Sequence, residues 1–449
     1  MRDHVAKFGG TSLATPEAFE QAYQIVASNS DLKAVVVSAP GKIPGGEKVT
    51  DLLIKAGNTK LAGQEPNLDE ILGRYKAIAD SVGITDIMSE IEHDLRKRLD
   101  FPKCEIFLSN FIAAGEDNCA KLFSQYCYAK GLKDIKSRYI DPVMAGFKLT
   151  HIGNGIGRVH PDAYAKLAEL KISKSLIIFP GFFGEWEYSV ITLARGGSDV
   201  SGAVLANALD ASMYWNFTDI DGVRAAHPKI VPDSRVIEQI TYEEMRELSV
   251  AGFEVLHEDA VGPLYKKGIP VRIKCTTDPS APGTLITPSR RHDSRSAVIG
   301  IACRQGYSSI GVQKLLMNHE EGFGNKLLGV LADHHISYDH DMDATDYISV
   351  IMRSQELKGK EESVINSLYT DLKVNEASIL DRGNLSMVLV VGQGLPYTRH
   401  AASRATAALA QADIDVLALS YPRNSKSIAI GVDDSEAELA VRALYNEFI

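Results

Sequence analysis

The first polar cluster of the chain follows its first apolar run. Lys7-Phe8-Gly9-Gly10-Thr11-Ser12 combines a cation, two glycines and two hydroxyl groups. The glycines would let backbone N–H groups approach an anion closely, and a helix beginning near Pro16 would add a favourable dipole. We predict a phosphate site here, with a glycine turn beside a surface lysine as the alternative. The GxxxxGK[ST] loop of other nucleotide enzymes does not occur in the sequence.

A second polar cluster has the residue types that bind a carboxylate. Arg195-Gly196-Gly197-Ser198-Asp199 lies between an apolar run that ends at Leu193 and an alanine-rich stretch that ends near Ala208. Arginine can bind a carboxylate through two parallel hydrogen bonds, and Asp199 could organise donors or a magnesium ion. We predict a carboxylate site, with a helix start capped by Ser198 or Asp199 as the alternative.

Three further segments give weaker signals. Glu116 follows the apolar stretch 107–114, and a lone glutamate is usually solvated. Thr218-Asp219 and Asp221-Gly222 follow another apolar run, and Asp-Gly is also an ordinary turn. Gly153-Asn154-Gly155-Ile156-Gly157 resembles a dinucleotide fingerprint, but its third glycine comes one residue early. We predict a mobile surface loop for that segment.

Short apolar runs alternate with helix-like stretches over roughly the first 285 residues. Strands are predicted at 4–8, 33–37, 176–181 and 190–193, and helices at 16–28, within 67–98, and up to 208. The run at 33–37 lacks polar alternation, as expected for a strand buried on both faces. This order predicts an α/β domain with a largely parallel sheet.

The composition changes at residues 277–296, which are rich in proline, serine, threonine and arginine. We predict a domain boundary there and two copies of a strand–helix–strand–strand unit beyond it. The strands of the two copies are predicted at 311–317, 336–338 and 348–351, and at 385–391, 414–416 and 427–430. Their helices are predicted at 324–334 and 401–411. The predicted domains are 1–288, 297–372 and 373–449.

Composition excludes several classes of partner. A formal net charge of −10 argues against a nucleic-acid partner, which would need a basic face. The longest apolar runs are much shorter than the ~20 residues of a membrane-spanning helix, and no secretory leader is expected. The five cysteines form no CxxC pair, so reduced thiols are expected rather than disulfides or a metal site. We predict a soluble cytoplasmic protein.

The chain resembles, over its whole length, the aspartate kinases of the amino-acid kinase family. Besides the two clusters above, the matching motifs are Val37-Ser38-Ala39-Pro40, Val49-Thr50-Asp51, Gly115-Glu116, Pro180-Gly181-Phe182, Phe217-Thr218-Asp219, Ile273-Lys274 and Gly283-Thr284. The resemblance implies an α/β amino-acid kinase fold followed by two ferredoxin-like α+β ACT domains. It also implies transfer of the γ-phosphoryl group of ATP, with Mg²⁺, to the β-carboxylate of L-aspartate. That reaction is the first step toward lysine, threonine and methionine.

The resemblance implies a role for each matching residue. Lys7 and Asp199 would be catalytic, with Lys7 stabilising the transferred charge and Asp199 orienting the reacting groups. Arg195 would bind the α-carboxylate of aspartate and Glu116 its α-ammonium group. The rest of the aspartate pocket would comprise Ser38, Thr50, Phe182, Gly196, Gly197 and Ser198. ATP would contact Lys7, Gly9, Gly10, Ser12, Thr218, Asp219, Arg224 and Lys229.

The acceptor implied by the resemblance needs no general base, because a carboxylate with an ordinary pKa of about 3.9 is ionised at neutral pH. Two positions depart from the family pattern near the nucleotide. Glu254 replaces a lysine that contacts the nucleotide in many relatives, so we expect its side chain to point away. His227-Pro228-Lys229 replaces Asp-Pro-Arg, and Lys229 could keep a charge contact but not a bidentate one.

The C-terminal half is expected to bind an amino-acid effector. The turn carrying Met317, His319, Gly322 and Phe323 would receive its carboxylate, and Asp339 its ammonium group. The resemblance suggests inhibition by lysine, threonine or both, and a homodimer or homotetramer formed through the ACT domains. A catalytically inactive amino-acid sensor on the same scaffold is the alternative function. The only support for this alternative is that Glu254 and His227 depart from the family pattern.

Overall fold

The computed structural model of the chain describes residues 3–132, 137–194, 196–253, 256–290 and 297–449. Two compact units divide the chain. The first comprises Met1–Val223, Val236–Arg246 and Glu254–Arg290, and the second comprises Arg224–Arg235, Glu247–Phe253 and Arg291–Ile449. Two short segments from before residue 288 therefore belong to the C-terminal unit, which differs from the predicted bounds.

The strands of the first unit form a sheet of eight and a sheet of four. They are β1 (His4–Phe8), β2 (Leu32–Val37), β3 (Ser137–Tyr139), β4 (Leu149–Gly153), β5 (Ile156–Val159), β6 (Leu176–Pro180), β7 (Phe183–Trp186), β8 (Ser189–Leu193), β9 (Met213–Thr218), β10 (Gln239–Thr241), β11 (Val271–Cys275) and β12 (Thr284–Thr287). The large sheet has the order β10-β12-β11-β9-β1-β2-β6-β3, and the small one β4-β5-β8-β7. Among the described strand pairs of the large sheet, only β11 and β12 are antiparallel. The predicted parallel α/β sheet is confirmed, and every residue of β2 is buried.

Ten α-helices begin before residue 291 in the part of the chain that the structure describes. They are α1 (Pro16–Ser28), α2 (Val49–Leu61), α3 (Asp69–Asp80), α4 (Ile87–Leu99), α5 (Phe107–Ile112), α6 (Ala114–Ala129), α7 (Asp162–Ala168), α8 (Gly197–Ala208), α9 (Tyr242–Val250) and α10 (Glu258–Lys267). The Thr15 hydroxyl caps α1 by accepting a hydrogen bond from the Ala18 N–H, and Pro16 takes the first helical position. The aromatic side chains of Phe19 and Phe123 pack from α1 and α6 into the core beside β1.

The glycine-rich segment 153–157 is a hairpin turn, so the predicted mobile loop was wrong. Asn154 and Gly155 connect β4 to β5, with φ angles of 51° and 69°. An Asn-Gly pair adopts these left-handed angles readily and is the preferred two-residue hairpin turn. That dipeptide was the signal that would have predicted the hairpin.

The second unit contains one antiparallel sheet of six strands. These are β13 (Gly300–Gln313), β14 (His340–Asp343), β15 (Tyr347–Arg353), β16 (Glu376–Val391), β17 (Ala418–Ser420) and β18 (Ser427–Asp433), in the order β14-β15-β13-β16-β18-β17. Its helices are α11 (Phe323–Asp333), α12 (Ser354–Leu357), α13 (Glu361–Leu372), α14 (Ala401–Gln411) and α15 (Ala437–Phe448). The strands predicted at 336–338 and 414–416 were wrong. Ile336 and Ile414 are buried in the cores from the irregular segments that precede β14 and β17.

Two apolar cores in the second unit interleave along the chain. Val298 and Ile301 pack with residues beyond 387, whereas a separate core runs from Ile310 to Ala377. The pairing of 300–304 in β13 with 387–391 in β16 brings the first of these cores together. The predicted boundary between 372 and 373 therefore does not coincide with the division between the cores.

The five cysteines are free thiols in the structure. Cys119, Cys127 and Cys275 are buried free thiols, Cys104 is exposed and Cys303 is partly buried. Within the part of the chain that the structure describes, no helix has both the length and the apolar character needed to cross a membrane.

Candidate active site

Five neighbouring parallel strands end at one edge of the large sheet. The strands β6, β2, β1, β9 and β11 are adjacent, so their carboxyl ends lie together. Backbone hydrogen bonds join the segments that leave them, such as the Ser38 N–H to the Phe8 carbonyl at 3.2 Å and the Gly181 N–H to the Val37 carbonyl at 2.9 Å. The predicted site residues at or just beyond these ends are Lys7 to Ser12, Ser38, Phe182, Thr218 and Asp219.

Lys7 and Asp199 form a buried ion pair at this edge. The distance from Lys7 Nζ to Asp199 Oδ1 is 2.7 Å, and both side chains are nearly inaccessible to solvent. Asp199 lies in the first turn of α8, where the helix dipole favours a negative charge. This ion pair brings the two predicted polar clusters together through Lys7 and Asp199, which are their predicted catalytic residues.

Asn216 is a member of this cluster that the sequence reasoning missed. It is opposite Lys7 in the β1–β9 ladder, and its Nδ2 donates to Asp199 Oδ1 at 3.2 Å. Its own Oδ1 is buried and has no hydrogen-bond partner among the described residues. A polar residue inside an otherwise apolar strand, two residues before Thr218, was the available signal.

We expect replacement of Asn216 by leucine to lower kcat about tenfold, because a hydrogen bond to the Asp199 carboxylate is lost. The KM values for both substrates should change little, since Asn216 would touch neither. Thermal stability should be unchanged or higher because the unpaired buried Oδ1 is removed. A normal kcat together with a lowered melting temperature would mean that Asn216 is structural only.

The glycine turn is shaped by a close approach of two loops. A Cβ atom on Gly10 would lie 2.9 Å from the Ala39 carbonyl oxygen, and the Gly41 N–H donates to the Gly10 carbonyl at 2.7 Å. Only glycine fits at position 10 without displacing that neighbouring loop. The N–H groups of Gly10 and Thr11 begin a 3₁₀ helix, so they lack intrahelical acceptors and suit an anion.

Two groups of the predicted phosphate cradle are already bonded within the protein. The Gly9 N–H donates to the Phe217 carbonyl at 3.1 Å. The Ser12 hydroxyl lies 2.6 Å from Thr276 Oγ1, which itself donates to the Thr218 carbonyl. Since Thr276 uses its proton there, Ser12 is the donor in the shared bond. These bonds fix the turn, and Thr276 is a member of it that the sequence reasoning missed. The contacts of Gly9 and Ser12 with ATP stay predictions.

Arg74 of α3 donates hydrogen bonds to the segment that precedes α1 and to the loop that precedes α2. Its guanidinium donates to the carbonyls of Glu47 at 2.6 Å, Gly41 at 2.5 Å and Ala14 at 3.2 Å. The residue is buried, and burial lowers the pKa of its guanidinium from the usual value. Arg74 thus ties the phosphate turn to the loop that leads into α2.

Glu116 is a buried carboxyl group without a cationic partner among the described residues. It lies in the first turn of α6 and accepts hydrogen bonds from the Ala39 N–H and its own N–H. Its Oε2 is buried and unpaired. Burial raises the pKa of Glu116 to about 8, against which these backbone hydrogen bonds act only weakly. A ligand ammonium group would satisfy the free oxygen.

The remaining predicted pocket residues surround the start of α8 and α2. Ser198 is buried against Gly181, where an added Cβ would lie 2.6 Å from its hydroxyl oxygen. Gly196 precedes α8 with a φ of 77°, and its backbone packs against the ring of His257. Gly197 is buried, Thr50 is the second residue of α2, and Ser38 is half-buried.

The structure describes part of the predicted binding site for the nucleoside of ATP. The Thr218 hydroxyl donates to Asp219 Oδ1 at 3.1 Å, and Asp219 is exposed beyond β9. Arg224 and Lys229 belong to the second unit, where Arg224 Nη1 donates to the Ser234 carbonyl at 2.6 Å. Their contacts with ATP stay predictions. Arg195 and Glu254 lie outside the described residues.

A separate cavity of about 620 Å³ lies in the second unit at the start of α11. Among its lining residues are Met317, Gly322 and Phe323, as predicted for an effector site, and also Asp341 and Asp343 of β14. The two carboxylates alternate along the strand and so face the same side.

Two of the predicted effector residues do not line this cavity. His319 lies on the same turn but is absent from the cavity wall. The Asp339 carboxylate accepts a hydrogen bond from the Tyr307 hydroxyl at 2.8 Å and pairs with Arg353 at 3.5 Å. The contact of Asp339 with an effector stays a prediction, whereas Asp341 and Asp343 are the aspartates that line the cavity.

Comparison with known proteins agrees with this geometry. Residues 4–275 match the amino acid kinase family, and residues 388–448 match an ACT domain. Aspartokinase 3 of Bacillus subtilis is 40% identical over 99% of this chain and 98% of its own length. Lysine-sensitive aspartokinase 3 of Escherichia coli is 28% identical over 98% of both chains. The crystal structure of Clostridium acetobutylicum aspartate kinase covers 100% of both chains with a TM-score of 0.80 at 27% identity.

The chain belongs to the amino acid kinase family. Its function within the family is that of an aspartate kinase, an enzyme that transfers the γ-phosphoryl group of ATP to the β-carboxylate of L-aspartate. The catalytically inactive sensor is set aside by the full-length similarity to aspartokinases and by the buried Lys7–Asp199 pair.

Proposed function

We propose that Lys7 stabilises the phosphoryl group during its transfer and that Asp199 holds Lys7 in place until ATP binds. The observation that carries this proposal is the 2.7 Å ion pair at the shared carboxyl edge of five strands. A phosphate oxygen entering beside Gly10 and Thr11 would compete with Asp199 for the ammonium group. Lys7 would then neutralise the negative charge that spreads over the transferred group.

Aspartate would bind beside this pair with its β-carboxylate toward Lys7. Glu116 would pair with the α-ammonium group through its free Oε2. Arg195 would bind the α-carboxylate, and Ser38, Thr50, Phe182, Gly196, Gly197 and Ser198 would complete the pocket. The β-carboxylate is ionised at neutral pH and attacks phosphorus without a general base. Its alignment is therefore the main task of the pocket.

Mg²⁺ would enter with ATP. Among the described residues, no group of three or more His, Cys, Asp and Glu side chains could hold a metal ion alone. This fits a magnesium ion, which takes one or two carboxylates and obtains most other ligands from phosphates and water. Asp199 and Asp219 are the carboxylates at the edge that would serve. The ion would neutralise charge on the phosphates.

A steady-state assay tests the proposed specificity. ADP production is measured with aspartate, with glutamate and with no amino acid, each at saturating Mg-ATP. We expect turnover with aspartate and at least tenfold lower kcat/KM with glutamate, since one extra methylene displaces the carboxylate from its near-attack position. Equal turnover with both amino acids, or ADP release that ignores the amino acid, would contradict the pocket assignment.

The cavity at α11 would bind a basic amino acid as a feedback inhibitor. Asp341 and Asp343 would pair with the side-chain ammonium group of lysine, while the start of α11 would receive the carboxylate. The similar Escherichia coli enzyme is lysine-sensitive, which supports lysine over threonine. Residues 1–288 would form the catalytic domain, and pairing of the ACT domains between copies would give a homodimer or homotetramer.

We expect Asp343→Asn to raise the lysine concentration for half-inhibition about tenfold, because a charged hydrogen bond is lost. Asp339→Asn should leave it within twofold, since that carboxylate is bonded to Tyr307. Inhibition curves in lysine and in threonine, recorded for both variants, check this. Equal shifts in the two variants, or no inhibition of the unmodified enzyme by either amino acid, would contradict the effector assignment.

A further inference from the structure

Phe182 holds an uncommon backbone conformation beside the proposed aspartate pocket. Its φ is 75°, in the left-handed region that residues with a bulky side chain rarely adopt. Such a conformation persists only where the surroundings fix it, and it is concentrated at functional sites. The carbonyl of Phe182 is fixed by the Leu193 N–H at 2.7 Å. What fixes its N–H is a side chain that has no proposed contact with either substrate.

That side chain is Ser201, one turn into α8. Its hydroxyl accepts a hydrogen bond from the Phe182 N–H at 3.0 Å and donates to the Gly197 carbonyl at 2.9 Å. Ser201 is only 1% exposed, so water cannot replace either bond. A hydroxyl is the smallest group that both accepts from one backbone group and donates to another.

The bridge joins the two halves of the proposed pocket. On one side is the turn that follows β6 and carries Phe182. On the other side is the first turn of α8, with Gly197 and Ser198. A Cβ on Gly197 would lie 2.9 Å from the Phe182 ring, so the two segments are in direct contact. A shift of Phe182 would therefore change the pocket wall that faces aspartate.

We propose that Ser201 is a positioning residue that holds Phe182 in its left-handed conformation and thereby sets the affinity for aspartate. The inference rests on the proposed function, in which Phe182 lines the aspartate pocket. Without the hydroxyl, the Phe182 N–H loses its acceptor, and the peptide relaxes toward negative φ. The ring then leaves its position beside Gly197. The phosphate turn at Gly10 is formed by other loops and does not depend on this bridge.

The test uses a pair of variants that differ only in the hydroxyl. Ser201→Thr keeps the group, and Ser201→Val replaces it with a methyl of the same shape. We expect Ser201→Val to raise the KM for aspartate about tenfold relative to Ser201→Thr, with the KM for ATP within twofold. Ser386→Ala is the matched control, because it removes another fully buried, hydrogen-bonded serine hydroxyl from the second unit. It should lower thermal stability without changing the KM for aspartate.

A double-mutant cycle shows whether Ser201 acts through Phe182. Phe182→Gly relieves the strain, because glycine adopts positive φ freely, and it removes the ring. Phe182→Gly alone should raise the KM for aspartate. Ser201→Val added to it should have no further effect beyond twofold, since the bridge has nothing left to position.

The outcomes separate this inference from the function on which it rests. If Phe182→Gly leaves the KM for aspartate unchanged, the assignment of Phe182 to the pocket fails, and this inference fails with it. If Phe182→Gly raises the KM but Ser201→Val behaves like Ser201→Thr, only the positioning role is overturned. Independent effects that multiply in the double variant would overturn it as well. Should Ser201→Val fail to fold, Ser201→Ala, measured alone and in the Phe182→Gly background, completes the same cycle.

Discussion

Replacing Lys7 with methionine is expected to lower kcat about 100- to 1,000-fold, the range seen when one preorganised charge-stabilising donor is removed from an active site. Methionine keeps most of the length of the buried side chain but cannot neutralise the transferred phosphoryl group. Asp199 would also lose its ionic partner at 2.7 Å and keep the hydrogen bond from the Asn216 amide. Steady-state kinetics with both substrates saturating measure the effect on kcat directly.

A second lysine in the same sheet provides the control. Lys33 on the neighbouring strand β2 is as buried as Lys7, and its Nζ donates to the carbonyls of Lys171 and Ser173, away from the carboxyl edge. Lys33→Met should lower the melting temperature and leave kcat within threefold. A similar loss of kcat in both variants would show that burial of a lysine, not its place at the site, matters. A nearly normal kcat in Lys7→Met would remove its catalytic role.

Aspartate binding is expected to depend steeply on pH because of Glu116. Burial raises the pKa of this carboxyl to about 8, so it is protonated in the free enzyme at neutral pH. It must lose that proton to pair with the α-ammonium group of aspartate. The KM for aspartate should therefore fall as pH rises from 6 toward 8, by up to about tenfold per unit, and then level off. The KM for ATP should show no such change.

Glu116→Gln isolates this contribution. The amide has the same shape but no charge, so its KM for aspartate should be high at pH 8 and nearly independent of pH between 6 and 8. A glutamine variant that kept the same steep pH profile would show that another group is responsible. A profile in the unmodified enzyme that is flat from pH 6 to 8 would contradict the buried, proton-binding carboxyl.

The same ionisation affects stability in a defined direction. Unfolded Glu116 has an ordinary pKa near 4.3, whereas the folded group holds its proton up to about 8. The folded protein therefore binds the extra proton between these values, and its stability falls as pH rises through that window. Without substrates, the melting temperature of Glu116→Gln should decrease less between pH 5 and 8 than that of the unmodified enzyme.

Local sequence patterns predicted some elements of the first unit, among them β1, β2, β6, β8, α1 and α8, because their signals are short-range. The uninterrupted apolar run of β2 required burial on both faces, and Thr15-Pro16 specified the start of α1. The polar clusters at 7–12 and 195–199 were also recognisable in the sequence, because an apolar core does not require their residue types. Their meeting at one edge followed from the general rule for parallel strands.

Contacts that depend on register could not be read from the sequence. Asn216 meets Asp199 only because β9 pairs with β1 and places Asn216 opposite Lys7. Thr276 reaches Ser12 across a sequence separation of 264 residues. Asp339 likewise meets Tyr307 and Arg353 only through the pairing of strands that are distant along the chain.

The interleaved cores of the second unit were missed for a long-range reason. A reading that follows chain order assigns residues 300–304 to the first repeat. Their antiparallel pairing with 387–391 instead places Val298 and Ile301 in the core that contains β18 and α15. Ile336 and Ile414 are buried in loops, and their apolar character alone did not distinguish a buried loop residue from a strand.

The most direct test of aspartate kinase chemistry follows oxygen from the β-carboxylate of aspartate into phosphate. Aspartate labelled with ¹⁸O in that carboxylate is incubated with Mg-ATP and the enzyme, and hydroxylamine is added to cleave the acyl phosphate at its carbonyl carbon. Because the carboxylate oxygen attacks phosphorus and stays bonded to it, we expect the released phosphate to carry a single ¹⁸O atom. Phosphate free of label would contradict phosphoryl transfer to the β-carboxylate.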